Sequence, residues 1–146
     1  MSNPAEVLLV DDNPADLELT CDALERSGYP HHISTVADGR EAVLFLWRKQ
    51  KYAGACRADL VILDLNLPRK DGRAVLAELK SDPRLRATPV VIFSTSQAAQ
   101  DIGRSYELGA NSYVSKPGNL KDFFAAMQLI ARFWFGCARL PHSEES

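Results

Sequence analysis

Cysteine is scarce in this sequence, and its placement is uninformative. Cys21, Cys56 and Cys137 are scattered, odd in number and without metal-ligand spacing. That excludes a disulfide framework and a zinc site, and it predicts reduced thiols in a cytoplasmic protein. Long apolar runs are also lacking: the longest, residues 60–67, is interrupted by Asp64 and is too short to span a bilayer. The opening Met-Ser-Asn-Pro-Ala-Glu has neither the basic region nor the apolar run of a signal peptide. Positive charge is not in excess. With 17 basic and 19 acidic residues the net charge is -2, which argues against broad electrostatic capture of nucleic acid. His31, His32 and His142 show no ligand pattern, and repeats and low-complexity tracts are absent. What remains is 146 residues with 46% hydrophobic and 25% charged content, enough for one globular domain with one core.

Short apolar runs alternate with amphipathic segments. Val7-Leu8-Leu9-Val10 reads as a strand covered on both faces, and it runs into Asp11-Asp12. Asn13-Pro14 then supply a helix cap and a first-turn proline, opening a helix with Leu17, Cys21 and Leu24 on one stripe that stops at Gly28. Residues 33–36 form a second strand, and Asp38 caps a helix carrying Ala42, Val43, Leu46 and Trp47. Leu60-Val61-Ile62-Leu63 is a third strand ending at an aspartate, followed by a helix with Val75, Leu76 and Leu79. Residues 89–93 form a fourth strand running into Ser94, and a polar helix covers about residues 98–108. Residues 112–115 form a fifth strand ending at Lys116-Pro117, and a long apolar helix covers about residues 120–137. Five strands alternating with five helices predict a doubly wound α/β fold around a five-stranded parallel sheet. The expected domain is 1–146, with a core at about 6–137 and a polar tail at 138–146.

In open parallel sheets, ligands bind beyond the carboxyl ends of the strands, where strand order reverses. The strand exits here deliver Asp11 and Asp12, then Asp64, Ser94 and Lys116. Singly, each has an ordinary role as a cap, a turn residue or a solvated lysine. Together they place three carboxylates, one hydroxyl and one ammonium at one end of the sheet. Crowded carboxylates raise each other's pKa, and a divalent cation relieves that conflict. All-oxygen ligands with room for water and phosphate suit Mg²⁺. A carboxylate oxygen is then a competent nucleophile toward phosphorus, and Lys116 and Ser94 can reach the equatorial oxygens of the transferring group.

This ordered set resembles a response-regulator receiver domain, the phosphoacceptor half of two-component signalling. The resemblance is carried by Leu-Val-Asp11-Asp12, Leu63-Asp64-Leu-Asn66-Leu-Pro68 with Asp71-Gly72, Phe93-Ser94-Thr95 and Tyr113-Val-Ser-Lys116-Pro117. It implies a flavodoxin-like (βα)5 fold with Asp64 as the phosphorylated residue. It also implies Mg²⁺ held by Asp11, Asp12, Asp64 and the carbonyl of Asn66, with Asp12 in direct contact and Asp11 mainly through water. Ser94 and Lys116 would assist transfer, Ser94 and Tyr113 would form the switch, with the ring turning inward on activation, and Lys116-Pro117 would be cis. Asn66 and Ser96 occupy the positions thought to tune phosphate lifetime, and neither is an acid or a long amide. That fits a moderate or long lifetime. Asp64-Leu-Asn-Leu-Pro, the Ser94-Thr-Ser run, Asn119-Leu-Lys-Asp and Phe133-Trp134-Phe135-Gly136 resemble the stand-alone receivers that partner bacterial phytochrome histidine kinases. Kinase docking by resemblance would use Asp16, Leu17 and the Pro117-Gly118 turn.

The last helix carries an expected core stripe of Leu120, Phe123, Phe124, Met127, Ile130, Ala131 and Trp134. Leu129 and Phe133, with Ala126, fall on a second arc. Either residues 138–141 fold back over that arc, or it is a symmetric homodimer interface, the reading favoured here. A phosphatase of the haloacid-dehalogenase kind also uses a strand-end Asp and Mg²⁺. It needs a second acid two residues on, and Asn66 cannot serve. A phosphorylation-independent adaptor would not need the intact acids, hydroxyl and lysine. The expected role is signalling rather than enzymatic turnover, with a phosphorelay intermediate or phosphate sink as alternatives.

Overall fold

A computed structural model describes residues 4–141. The last five residues of the expected tail, His142 among them, and residues 1–3 of the opening segment lie outside the described residues. Five strands, β1 (Ala5–Val10), β2 (His31–Val36), β3 (Leu60–Leu63), β4 (Val90–Ser94) and β5 (Ser112–Ser115), form one parallel sheet in the order β2-β1-β3-β4-β5. They alternate with α1 (Pro14–Glu25), α2 (Gly39–Leu46), α3 (Gly72–Ser81), α4 (Ala99–Glu107) and α5 (Leu120–Gly136). A single 3-10 turn at Gln50–Tyr52 follows α2. This is the doubly wound (βα)5 architecture expected from the sequence.

The chain moves outward from β1 to β2, then returns across β1 to place β3 on its other side. Strand order therefore reverses between β1 and β3, and the crevice beyond their carboxyl ends is the natural ligand site. Period-two alternation divides the core. Leu8, Val10, Val61, Leu63, Val90 and Ile92 face α2 and α3, whereas Val7, Leu9, Leu60, Ile62, Val91 and Phe93 face α1 and α5. All four residues of β3 are buried, as a strand covered on both sides requires.

Helix starts follow the expected capping chemistry. Asn13 accepts from the N–H groups of Ala15 and Asp16, Asp38 from Glu41, Asp71 from Arg73 and Asn119 from Asp122. The start of α3 is pressed against the end of β3. The Gly72 N–H donates to the Leu65 carbonyl at 2.8 Å, and a Cβ at Gly72 would lie 2.8 Å from Leu65 Cα. Only glycine allows that approach, which fixes the loop carrying Asp64.

Two expectations about the C-terminal region need correction. Leu120, the first residue of α5, is 60% exposed and not part of the core stripe, which begins at Phe123. Phe123, Met127, Ile130 and Ala131 are buried as expected, and Phe124 and Trp134 are half-buried. Within the expected polar tail, Leu140 folds back and is buried among the α1 and α5 side chains. It nevertheless leaves Leu129 at 67% and Phe133 at 50% exposure.

Candidate functional site

The acids and the lysine that leave separate strands do meet. Lys116 follows β5 and is tied to β4 by its backbone N–H, which donates to the Ser94 carbonyl at 2.7 Å. Its side chain then crosses the ends of β4 and β3. The ammonium donates to Asp11 Oδ2 at 2.6 Å, Asp16 Oδ2 at 2.9 Å and Asp64 Oδ2 at 3.1 Å, so each of its three hydrogens has a carboxylate. Asp64 is buried, and its Oδ1 accepts from the Leu65 N–H at 2.7 Å. Both of its oxygens are thus fixed, one by backbone and one by an ammonium. Asp11 Oδ1 accepts from the Asn13 N–H at 2.9 Å, which links the acid to the cap of α1.

The electrostatics of this cluster are unbalanced. Burial pushes the Asp11 carboxyl above its ordinary value, with Asp64 adding to the effect, although the hydrogen bonds from Lys116 and Asn13 oppose it. Burial would lower Lys116, but the hydrogen bonds to Asp11 and Asp16 and the charge of Asp64 outweigh it and hold the ammonium well above its ordinary value. One permanent cation therefore faces Asp11, Asp16, Asp64 and the exposed Asp12. Carboxylate oxygens of Asp11, Asp12 and Asp64 lie within 4.8 Å of one another, close enough to share one ion. The donor set is all oxygen, two of its acids are buried and one opens to solvent, and its charge is under-compensated. These properties fit a hard divalent cation that keeps part of its shell for water or phosphate.

Ser94 is fully buried, and its Oγ accepts from the Ser96 N–H at 3.3 Å. Tyr113 is half-buried against the α2 and α3 side of the core, and its hydroxyl donates to the Ser96 carbonyl at 2.9 Å. The two residues assigned to the switch are thus connected through Ser96. Asn66 is exposed immediately beyond Asp64-Leu65.

Two expectations differ from the structure. No cis peptide bond occurs among the described residues, so Lys116-Pro117 is trans, and Lys116 is aimed by its three carboxylate partners instead. Asp16, expected on a docking surface, turns inward to Lys116 as a fourth acid of the site. Its position carried a usable signal. A helix capped by Asn13 directly after β1 must lay its first turn over the strand ends, and Asp16 is in that turn. Leu17 is half-buried and packs against the core on the same side.

The model of the response regulator receiver domain matches residues 7–128. The response regulator Rcp1 of Synechocystis sp. is 45% identical over 141 residues, which cover 96% of this chain and 96% of that protein. The crystal structure of the Mn(2+)-bound form of Rcp1 superposes with a TM-score of 0.92 at 43% identity, covering 94% of this chain and 99% of that one. The phosphorylated cyanobacterial phytochrome response regulator RcpA gives a TM-score of 0.91 at 48% identity, with the same coverage. Receiver domains in general are phosphorylated on an aspartate and bind a divalent metal, the chemistry for which this acid cluster is suited. The chain belongs to the response regulator receiver family and is a signalling protein related to the phytochrome response regulators.

Proposed function

We propose that Asp64 accepts a phosphoryl group from a phosphohistidine of a sensor histidine kinase of the phytochrome type, and that the phosphorylated form signals by a change of surface. The observation that carries this reading is the convergence of Asp11, Asp12, Asp64 and Lys116 at the β1/β3 reversal point. In the transfer, an Asp64 carboxylate oxygen bonds to phosphorus as the P–N bond breaks. The electron pair of that bond returns to the imidazole nitrogen of the kinase, leaving a neutral histidine once protons are balanced.

Asp11, Asp12, Asp64 and the Asn66 carbonyl would hold Mg²⁺, which when bound neutralises charge on the phosphoryl oxygens. Lys116 aligns the Asp64 carboxylate beforehand and offers its ammonium to a phosphoryl oxygen afterwards. The Ser94 hydroxyl hydrogen is available to a second such oxygen, since its Oγ serves as an acceptor toward Ser96. Tyr113 reports the outcome through the Ser96 carbonyl.

The exposed pair Leu129 and Phe133 on α5 supports a homodimer formed by that helix and its neighbours, since the fold-back of Leu140 does not cover them. Residues 1–146 would act as a single receiver domain in the cytoplasm, without nucleic-acid or membrane contact. No helix among the described residues is long and apolar enough to cross a membrane.

Incubation with Mg²⁺ and acetyl phosphate followed by intact mass tests the reading. Wild type should gain one phosphate and Asp64→Asn none; equal labelling of the two would refute the assignment.

A further inference from the structure

A chain of interacting side chains between α3 and the loop before α4 takes no part in the transfer chemistry. Arg73, in the first turn of α3, reaches in two directions. Its Nη1 donates to Asp71 Oδ1 at 3.0 Å and its Nη2 to Asp101 Oδ1 at 2.7 Å. Asp101 is in the first turn of α4, and its other oxygen accepts from the Ser96 hydroxyl at 2.6 Å. These bonds hold the Asp101 carboxyl below the usual carboxylate range, Ser96 contributing most and Arg73 next.

Ser96 itself is engaged at each of its polar atoms. Its N–H donates to Ser94 Oγ at 3.3 Å, and its carbonyl accepts from Tyr113 at 2.9 Å and Ser115 at 3.4 Å. Its Oγ also accepts from the Ala98 N–H at 3.3 Å. Ala98, the residue before α4, offers no side-chain cap, so the Ser96–Asp101 bond is what ties this loop to the first turn of α4. The Ser96 side chain is thus held by Asp101, and Asp101 is linked to α3 by Arg73.

The geometry points to Arg73 and Asp101 as positioning residues that hold Ser96, and through its carbonyl the inward Tyr113 ring, in the arrangement that receives phosphate on Asp64. The inference rests on the reading that Asp64 is phosphorylated. Neither residue touches the reacting atoms. A ring held inward before phosphate arrives raises the fraction of molecules competent to react, and phosphate in turn strengthens the clamp. An ion pair with only a structural role would lower stability when cut and leave phosphorylation unchanged.

The test uses the full chain with Arg73→Gln, Arg73→Lys, Asp101→Ala and Ser96→Ala. Two readouts are taken: the rate of phosphate gain from acetyl phosphate with Mg²⁺, and the ¹⁹F resonance of Tyr113 in fluorotyrosine-labelled protein without phosphate. Arg73→Gln, Asp101→Ala and Ser96→Ala should each slow labelling about fivefold, the population change expected when one partly exposed hydrogen bond of ordinary strength is lost. They should also move the Tyr113 resonance in a common direction, and Arg73→Lys should recover much of both. In a Tyr113→Phe background, which removes the hydroxyl at the end of the chain, Arg73→Gln should slow labelling no further. A fall in Tm with unchanged rate and unchanged resonance would overturn the inference, as would faster labelling. Wild type that takes up no phosphate would refute the Asp64 reading instead, and the resonance would still report on the clamp.

Discussion

Replacing Lys116 with Met removes the one ammonium at the acid cluster while keeping an unbranched stem of similar volume, so packing changes little. The ammonium sits 2.6, 2.9 and 3.1 Å from Asp11, Asp16 and Asp64, with only 4% of the Lys116 side chain exposed. Removing one partner of a buried ion pair costs about 3–5 kcal/mol, because the charge left behind is uncompensated. Protonation limits the loss here. Asp11 already has a folded pKa above its ordinary 3.8, and without Lys116 it rises further, at about 1.4 kcal/mol per pH unit.

A carboxyl with a raised folded pKa costs stability when ionised. That cost is fully present above the folded pKa and vanishes as pH falls below the unfolded value. Lys116 acts in the opposite sense. Its contribution is complete below 10.5 and is lost only as pH rises through its elevated folded value. Urea unfolding of Lys116→Met should therefore show a loss of about 3 kcal/mol near about pH 7.5, shrinking to about 1 kcal/mol near about pH 4.5. A saturating divalent cation should restore about 2–3 kcal/mol, the gain expected at roughly a hundredfold excess over its dissociation constant. A loss that is small at neutral pH, or equal at both pH values, would refute the electrostatic account of the cluster.

Other perturbations address separate parts of the structure. Gly72→Ala forces a methyl against the Asp64-Leu65 backbone and should cost about 1–3 kcal/mol in urea unfolding; a cost below about 0.5 kcal/mol would mean that the loop is not fixed by that approach. Asp64→Asn removes one like charge from a cation-free cluster and should raise stability by about 1 kcal/mol without Mg²⁺, an advantage that saturating Mg²⁺ reverses. Unchanged or lowered stability in metal-free buffer would count against charge crowding. Leu129→Glu with Phe133→Glu should convert a dimer to a monomer in sedimentation equilibrium, and a wild-type protein that is monomeric at high concentration would rule out the interface.

The fold was legible because buried parallel strands announce themselves. Val7–Val10, Leu60–Leu63 and Val90–Phe93 are apolar on both faces, and each ends at a polar residue that cannot continue the core. The same punctuation revealed Asp11, Asp12, Asp64, Ser94 and Lys116, since strand ends in a parallel sheet share one rim. Contacts decided by side-chain reach across elements were not legible. Asp16 pairs with Lys116 a hundred positions away, and Arg73 finds Asp101 only because α3 and α4 begin side by side. Helical periodicity likewise could not show where along α5 burial begins, so Leu120 looked like core. Nor could it show that Leu140 returns to cover the α1 and α5 side.

The central claim is that the phosphate resides on Asp64 and on no other acid of the cluster. Borohydride reduction after acetyl phosphate treatment converts an aspartyl phosphate to homoserine, and peptide sequencing by mass spectrometry then locates it. Homoserine at position 64 alone, dependent on a divalent cation, is the predicted result. Homoserine at Asp11, Asp12 or Asp16, or at no position in a protein that has gained phosphate, would contradict it.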